Sequence, residues 1–178
     1  RLCDSQYRSC NTPYSPYGDA LVNTVRNNPG TLWLIGNEPD RIYTQDSVHP
    51  TVYAQLYHEL YYLIKDIDPT ARIANGGIVQ ATPLRMQWLN MVWDEYQRLY
   101  GETMPVDVWN IHTFVLRELK PGLPLDEVLQ CAPPGARELG AWGADIPPGI
   151  DANCGLWIEI SDLDRMDLLQ DQVLRFRR

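Results

Sequence analysis

Between Asp19 and His112 the chain alternates short apolar runs with longer segments whose apolar residues recur at helical spacing. No other feature restricts the fold as tightly. Three runs read as buried strands, 31–36, 71–75 and 106–111. The first, Thr-Leu-Trp-Leu-Ile, mixes β-branched, aromatic and leucine side chains, as a strand covered on both faces does. Each strand-to-strand step contains one helix of crossover length. The strands are therefore expected to be parallel and the crossovers right-handed.

The helical segments carry their own start and stop signals. Asp19 caps a short helix with Leu21, Val22 and Val25 inward, ending before Asn28-Pro29-Gly30. A second helix runs from about Pro50 to Ile67 and turns Tyr53, Leu56, Leu60, Leu63, Ile64 and Ile67 to one side. Asp68-Pro69 ends it. Thr82-Pro83 opens a third helix that buries Leu84, Trp88, Leu89, Val92, Trp93, Tyr96 and Leu99, and Gly101 is its expected stop. Residues 1–18 read as a loop rich in Pro, Ser, Tyr and Gly. Residues 115–160 hold many Pro and Gly and no sustained period, so they read as a long excursion. Ser161 or Asp162 then caps a final helix, 161–178, with Met166, Leu169, Val173 and Phe176 inward.

The first strand stops abruptly at Gly36-Asn37-Glu38-Pro39. Pro39 lacks a ladder donor and biases Glu38 away from helix, so the strand ends there. A carboxylate at the end of a buried strand sits at the mouth of its sheet, where parallel α/β folds bind ligands. Charge narrows the ligand class. With 23 Asp and Glu against 15 Lys and Arg, the net charge is −8, which opposes nucleic acid. No apolar run approaches the roughly 20 residues of a membrane span. No His, Asp, Glu or Cys grouping has metal-ligand spacing, and no cofactor motif occurs.

Trp33-Leu34-Ile35-Gly36-Asn37-Glu38-Pro39 resembles the fourth-strand signature of the clan of retaining glycoside hydrolases built on (β/α)8 barrels. The resemblance covers roughly 19–114, with weaker support at 109–114, Trp-Asn-Ile-His-Thr-Phe. It implies that Glu38 is the general acid/base and that Asn37 binds the sugar 2-hydroxyl. It implies an incomplete TIM barrel, with three parallel strands and alternating helices corresponding to strands four to six. The nucleophilic Glu of strand seven would then lie beyond Arg178, and the isolated chain would be inactive. A whole barrel needs about 200 residues or more. An open piece of one exposes strand edges and apolar surface, so the isolated chain is expected to be marginally stable and to self-associate through those edges. The chain begins with Arg, not Met, so it is not expected to start at its native start and its compartment is open, extracellular or cytoplasmic.

In the same clan the sixth strand often ends in His-x-Tyr. Here it is His112-Thr113-Phe114, so the hydroxyl that would touch the nucleophile is missing. His112 is expected to bond a sugar hydroxyl or the catalytic carboxylate, and Phe114 to line the same subsite. Asn75 and Gln80 carry amides that suit sugar hydroxyls, although Asn75 before Gly76-Gly77 also suits a turn. Tyr43, Trp142 and Trp157 offer flat rings for stacking on sugars, or anchor their loops. Asp40 and Arg41 pair with each other or hold Glu38. His49 and His58 read as solvated. Retention needs a second carboxylate about 5–5.5 Å from the first, and Asp107, Glu118, Asp145 and Glu159 show no feature that selects one. Cys3, Cys10, Cys131 and Cys154 suit two short-range disulfides, Cys3–Cys10 and Cys131–Cys154, or four free thiols equally well. Two rival readings stand beside the glycosidase: a barrel-derived protein that holds a glycan without cutting it, and an unrelated small α/β domain.

Overall fold

The computed structural model describes residues 19–42, 45–114, 117–119, 143–150 and 166–176. Within them the order is α1 (Asp19–Asn27), β1 (Leu32–Asn37), α2 (Pro50–Ile67), β2 (Arg72–Gly77), α3 (Pro83–Tyr100), β3 (Arg117–Leu119), β4 (Gly143–Asp145) and α4 (Met166–Phe176). β1 and β2 pair in parallel, Trp33 against Ile73 and Ile35 against Asn75. β3 and β4 form a separate parallel pair inside the 115–160 excursion, where no element was expected.

The start and stop signals of α2 and α3 work as read, but of the residues expected inward on α3 Leu99 is exposed and Leu84 only half-buried. Pro50 and Pro83 occupy first-turn positions, where their missing N–H costs nothing. Gly101 ends α3 in the left-handed region at φ 70°, its N–H returning to the Gln97 carbonyl. α2 buries Tyr53, Leu56, Tyr57, Leu60 and Ile64 along one stripe, and α3 answers with Trp88, Leu89, Val92 and Tyr96. These stripes meet the covered side of the sheet at Ile35 and Ile73 to make the core. Leu32 and Leu34 of β1 point the other way and stay exposed, Leu34 at 53%.

The third strand does not form, and with it the incomplete TIM barrel is excluded. The sheet holding β1 has two strands, and 106–111 touches β2 only through the single bridges Ala74–Val108 and Ile78–Ile111. Four residues of the β2 run span the same gap as three of its neighbour, so a continuous ladder cannot stay in register. Side chains take the places of peptide groups instead. Asn75 Oδ1 accepts the Asn110 N–H at 2.7 Å, and Asn75 Nδ2 donates to the Asn110 carbonyl at 2.8 Å. Asp107 Oδ2 accepts the Ile73 N–H at 2.9 Å, while the N–H groups of Asp107 and Val108 share the Ile73 carbonyl.

His58, read as solvated, is half-buried. Its ring stacks on Tyr100 at 3.5 Å and 3°, and its Nδ1 bonds the Tyr96 hydroxyl at 2.8 Å. Burial lowers its pKa below the usual 6.5, against an opposing pull from Glu102 and Glu59. The unfolded chain therefore binds a proton more readily than the native one. Stability is full above about pH 6.5 and falls as pH drops through the folded value. Urea midpoints measured between pH 7.5 and 5.5 should decline on acidification, and His58→Gln should flatten that slope. An equal slope in the variant would contradict the assignment.

Candidate functional site at the end of the first strand

Three backbone features build the site. Gly36 has φ 92° and Glu38 has φ 48°, both left-handed. Gly36 tolerates that geometry, but Glu38 carries a Cβ and stores strain of about 1–3 kcal/mol. The Glu38 N–H donates to the Gly77 carbonyl at 3.0 Å, which fastens it to the end of β2. The Tyr53 hydroxyl stitches the two strand ends beneath: it donates to the Ile35 carbonyl at 2.8 Å and accepts the Gly76 N–H at 2.7 Å. Burial pushes the Tyr53 phenol far above its ordinary value of 10.0, so it stays protonated.

The Glu38 side chain is 4% exposed and both of its oxygens are held. Oε1 meets His112 Nδ1 at 2.8 Å, and Oε2 accepts Arg41 Nη1 at 3.2 Å. The Arg41 N–H also closes a turn on the Glu38 carbonyl. His112 is 30% exposed, so its imidazole stands between the carboxyl group and solvent. Gly77 makes room for that ring. A Cβ at residue 77 would lie 2.7 Å from His112 Cδ2 and Nε2, so any larger residue there would push the ring aside. Phe114 follows, exposed, with its ring edge-on to His112 at 6.0 Å.

Asn37 is exposed beside Glu38. A returning loop clamps it: its N–H donates to Asp46 Oδ2 at 2.7 Å and its Nδ2 to Gln45 Oε1 at 2.9 Å. The Val48 N–H closes the loop on the Pro39 carbonyl at 2.7 Å. The two charged neighbours of Glu38 divide their work. Arg41 holds Glu38, whereas Asp40 turns inward to Arg85, Nη1 to Oδ2 at 2.8 Å, with both side chains 0% exposed. Burial pushes the Asp40 carboxyl up from its usual value, and Arg85 opposes it.

Other sequence candidates lie elsewhere. Asn75 is buried with its amide committed to Asn110 and Gly76, and Gln80 is fully buried, so neither offers an open amide to a sugar. Asp107 pairs with Lys65 at 2.7 Å, both partly exposed. Burial acts to raise its pKa, but bonds from Lys65 and the Ile73 N–H outweigh it and leave the value lowered. Trp88 is core, as expected, while Trp93 is half-buried and stacks on the exposed Trp109. Tyr43, Trp142, Trp157, Glu159, residues 1–18 and the four cysteines lie outside the described residues. Glu118 is in β3 and Asp145 in β4. Among the described residues no group of three or more His, Cys, Asp or Glu could hold a metal, and no helix is long and apolar enough to cross a membrane.

Sequence reasoning missed Arg85, Asp46 and Gln172. For Arg85 a signal was present. Positions 85, 88, 89, 92 and 96 lie on one helical stripe, and the other four are buried apolar or aromatic residues. Comparison of the chain with protein-family models, with curated proteins and with solved structures finds no match.

Proposed function

We propose that this chain is part of a retaining glycoside hydrolase, with Glu38 as general acid/base, Asn37 as the partner of the sugar 2-hydroxyl and the nucleophile outside the chain. One observation carries the reading. Glu38 is held in a left-handed backbone conformation where β1 and β2 end, its carboxyl group buried and the exposed Asn37 beside it. Strained residues of this kind cluster at functional sites. In the first step Glu38 gives its proton to the departing glycosidic oxygen. In the second it takes one from the attacking water. His112 holds the carboxyl group in a single orientation through both steps. The partly exposed Arg41 limits how far it can turn.

Glu38→Gln in the full-length protein should lower turnover of glycosides with poor leaving groups by about 10²–10⁴-fold. Activated aryl glycosides should suffer less, because their leaving groups need no proton, and added azide should restore turnover. Unchanged hydrolysis of unactivated substrates would sink the assignment. A second reading, glycan binding without cleavage, draws on the occupation of both Glu38 oxygens by Arg41 and His112. It requires saturable oligosaccharide binding with no product formed in the full-length protein.

A further inference from the structure

The run that carries His112 is poorly held by backbone hydrogen bonds. Past Ile111, the His112 N–H reaches the Ile78 carbonyl at 2.9 Å, but the Phe114 N–H reaches Val79 only at 3.4 Å. At the near end of the run the Asn75 amide bridges to Asn110. At the far end a second amide does the same work, and it comes from α4. Gln172 Oε1 accepts the Ala81 N–H at 2.9 Å, and Gln172 Nε2 donates to the Phe114 carbonyl at 2.8 Å. Gln172 is only 5% exposed, and its amide behaves as an inserted peptide rung between 79–81 and 112–114. Arg175, one turn on, donates to the Ala81 carbonyl at 2.9 Å, and Phe176 packs edge-on to Trp109. Val173, expected inward, faces solvent with Leu174, so the polar contacts of Gln172 and Arg175 seat this end of α4 together with Phe176.

We infer that Gln172 is a positioning residue of the Glu38 site: its amide holds the His112–Phe114 run against 79–81 and so keeps His112 Nδ1 on Glu38. The functional weight of this role rests on the reading of Glu38 and His112 as the working pair; the geometric role does not. A 2.8 Å contact tolerates little drift, and a displacement of about 1 Å in a supporting group is enough to cost about 10²-fold in rate.

Histidine-selective ¹⁵N NMR reads the contact directly. In the wild-type protein the His112 Nδ1 resonance, assigned by its loss in His112→Gln, should carry the signature of a hydrogen-bonded nitrogen. Gln172→Leu removes both bonds at nearly constant volume. It should abolish that signature and weaken oligosaccharide binding tenfold or more. Gln172→Glu keeps the oxygen opposite Ala81 but sets a second oxygen against the Phe114 carbonyl, and it should do the same. A folded variant of either kind with the wild-type signature would overturn the proposal. Should both variants fail to fold, amide exchange in the wild type decides. The Ala81 and His112 amides should exchange together with those of α4, and an Ala81 amide exchanging as fast as a free peptide would overturn the role. If wild-type protein binds no oligosaccharide yet Gln172→Leu loses the signature, the positioning role stands and the glycosidase reading fails.

Discussion

Arg85→Met should destabilise the fold by about 3–5 kcal/mol, because it leaves the Asp40 carboxylate buried without its counter-charge. Arg85 Nη1 contacts both the Asp40 carbonyl at 2.6 Å and Oδ2 at 2.8 Å. Once it is gone, that carboxylate keeps only backbone donors among the described residues, the Val79 N–H at 3.2 and 3.3 Å to the two oxygens and the N–H of Asp40 itself. Since whole domains are stable by about 5–15 kcal/mol, the loss is a large share of the total. Its pH dependence follows from the sign of the Asp40 shift. Burial already raises that pKa, and removing Arg85 raises it further. The native variant then binds a proton that the unfolded chain has released, so its deficit should shrink as pH falls from 7 toward 5. Arg85→Met/Asp40→Leu, which replaces the pair with apolar groups, should recover most of the lost stability. Urea denaturation of the single and double variants tests this. A single variant as stable as the wild type would show that the pair is not the tie it looks to be.

Trp88→Ala should cost about 3–5 kcal/mol, the usual range for emptying an aromatic core position. Trp88 is fully buried, lies 5.4 Å from the Tyr53 ring, and donates Nε1 to the Val48 carbonyl at 3.3 Å. At about 2–4 °C per kcal/mol for a chain of this size, the thermal midpoint should fall by roughly 6–20 °C. The effect should reach the site as well. Tyr53 ties the strand ends under Glu38, and Val48 closes the loop that clamps Asn37. The cavity therefore opens beneath both residues. Trp88→Phe, which keeps most of the volume and loses one hydrogen bond, should retain most of the stability. Equal losses in the two variants would place the cost in the hydrogen bond rather than in packing.

The elements that could be read from the sequence are those whose cause is local. α2 and α3 are announced by Pro50, Pro83 and Gly101 and by stripes of residues three and four apart, all interactions within a turn or two. β1 and its stop at Pro39 are likewise visible, and so is the placement of Glu38 at a strand end. The expected third strand failed for a reason that composition cannot show. Val106–Ile111 has strand-like residues, but it meets β2 through the Asn75 amide, through its own Asp107 carboxylate on the Ile73 N–H and through a shared Ile73 carbonyl. Whether a run joins a sheet depends on what its neighbour offers. His58 looked outward on its own helix and is half-buried because α3 brings Tyr96 and Tyr100 alongside.

The chain's own order of residues therefore settles where α1, α2, α3 and the first strand begin and stop, and that an acid follows an apolar strand, because those outcomes depend on contacts between near neighbours. The long-range contacts around that acid are a different matter. His112 lies 74 positions away, Arg85 reaches Asp40 across 45, and Gln172 reaches Ala81 across 91. Such pairings exist only after loops have closed and distant segments have packed. Polar groups sealed from water by that packing must take whatever donor or acceptor it brings to them.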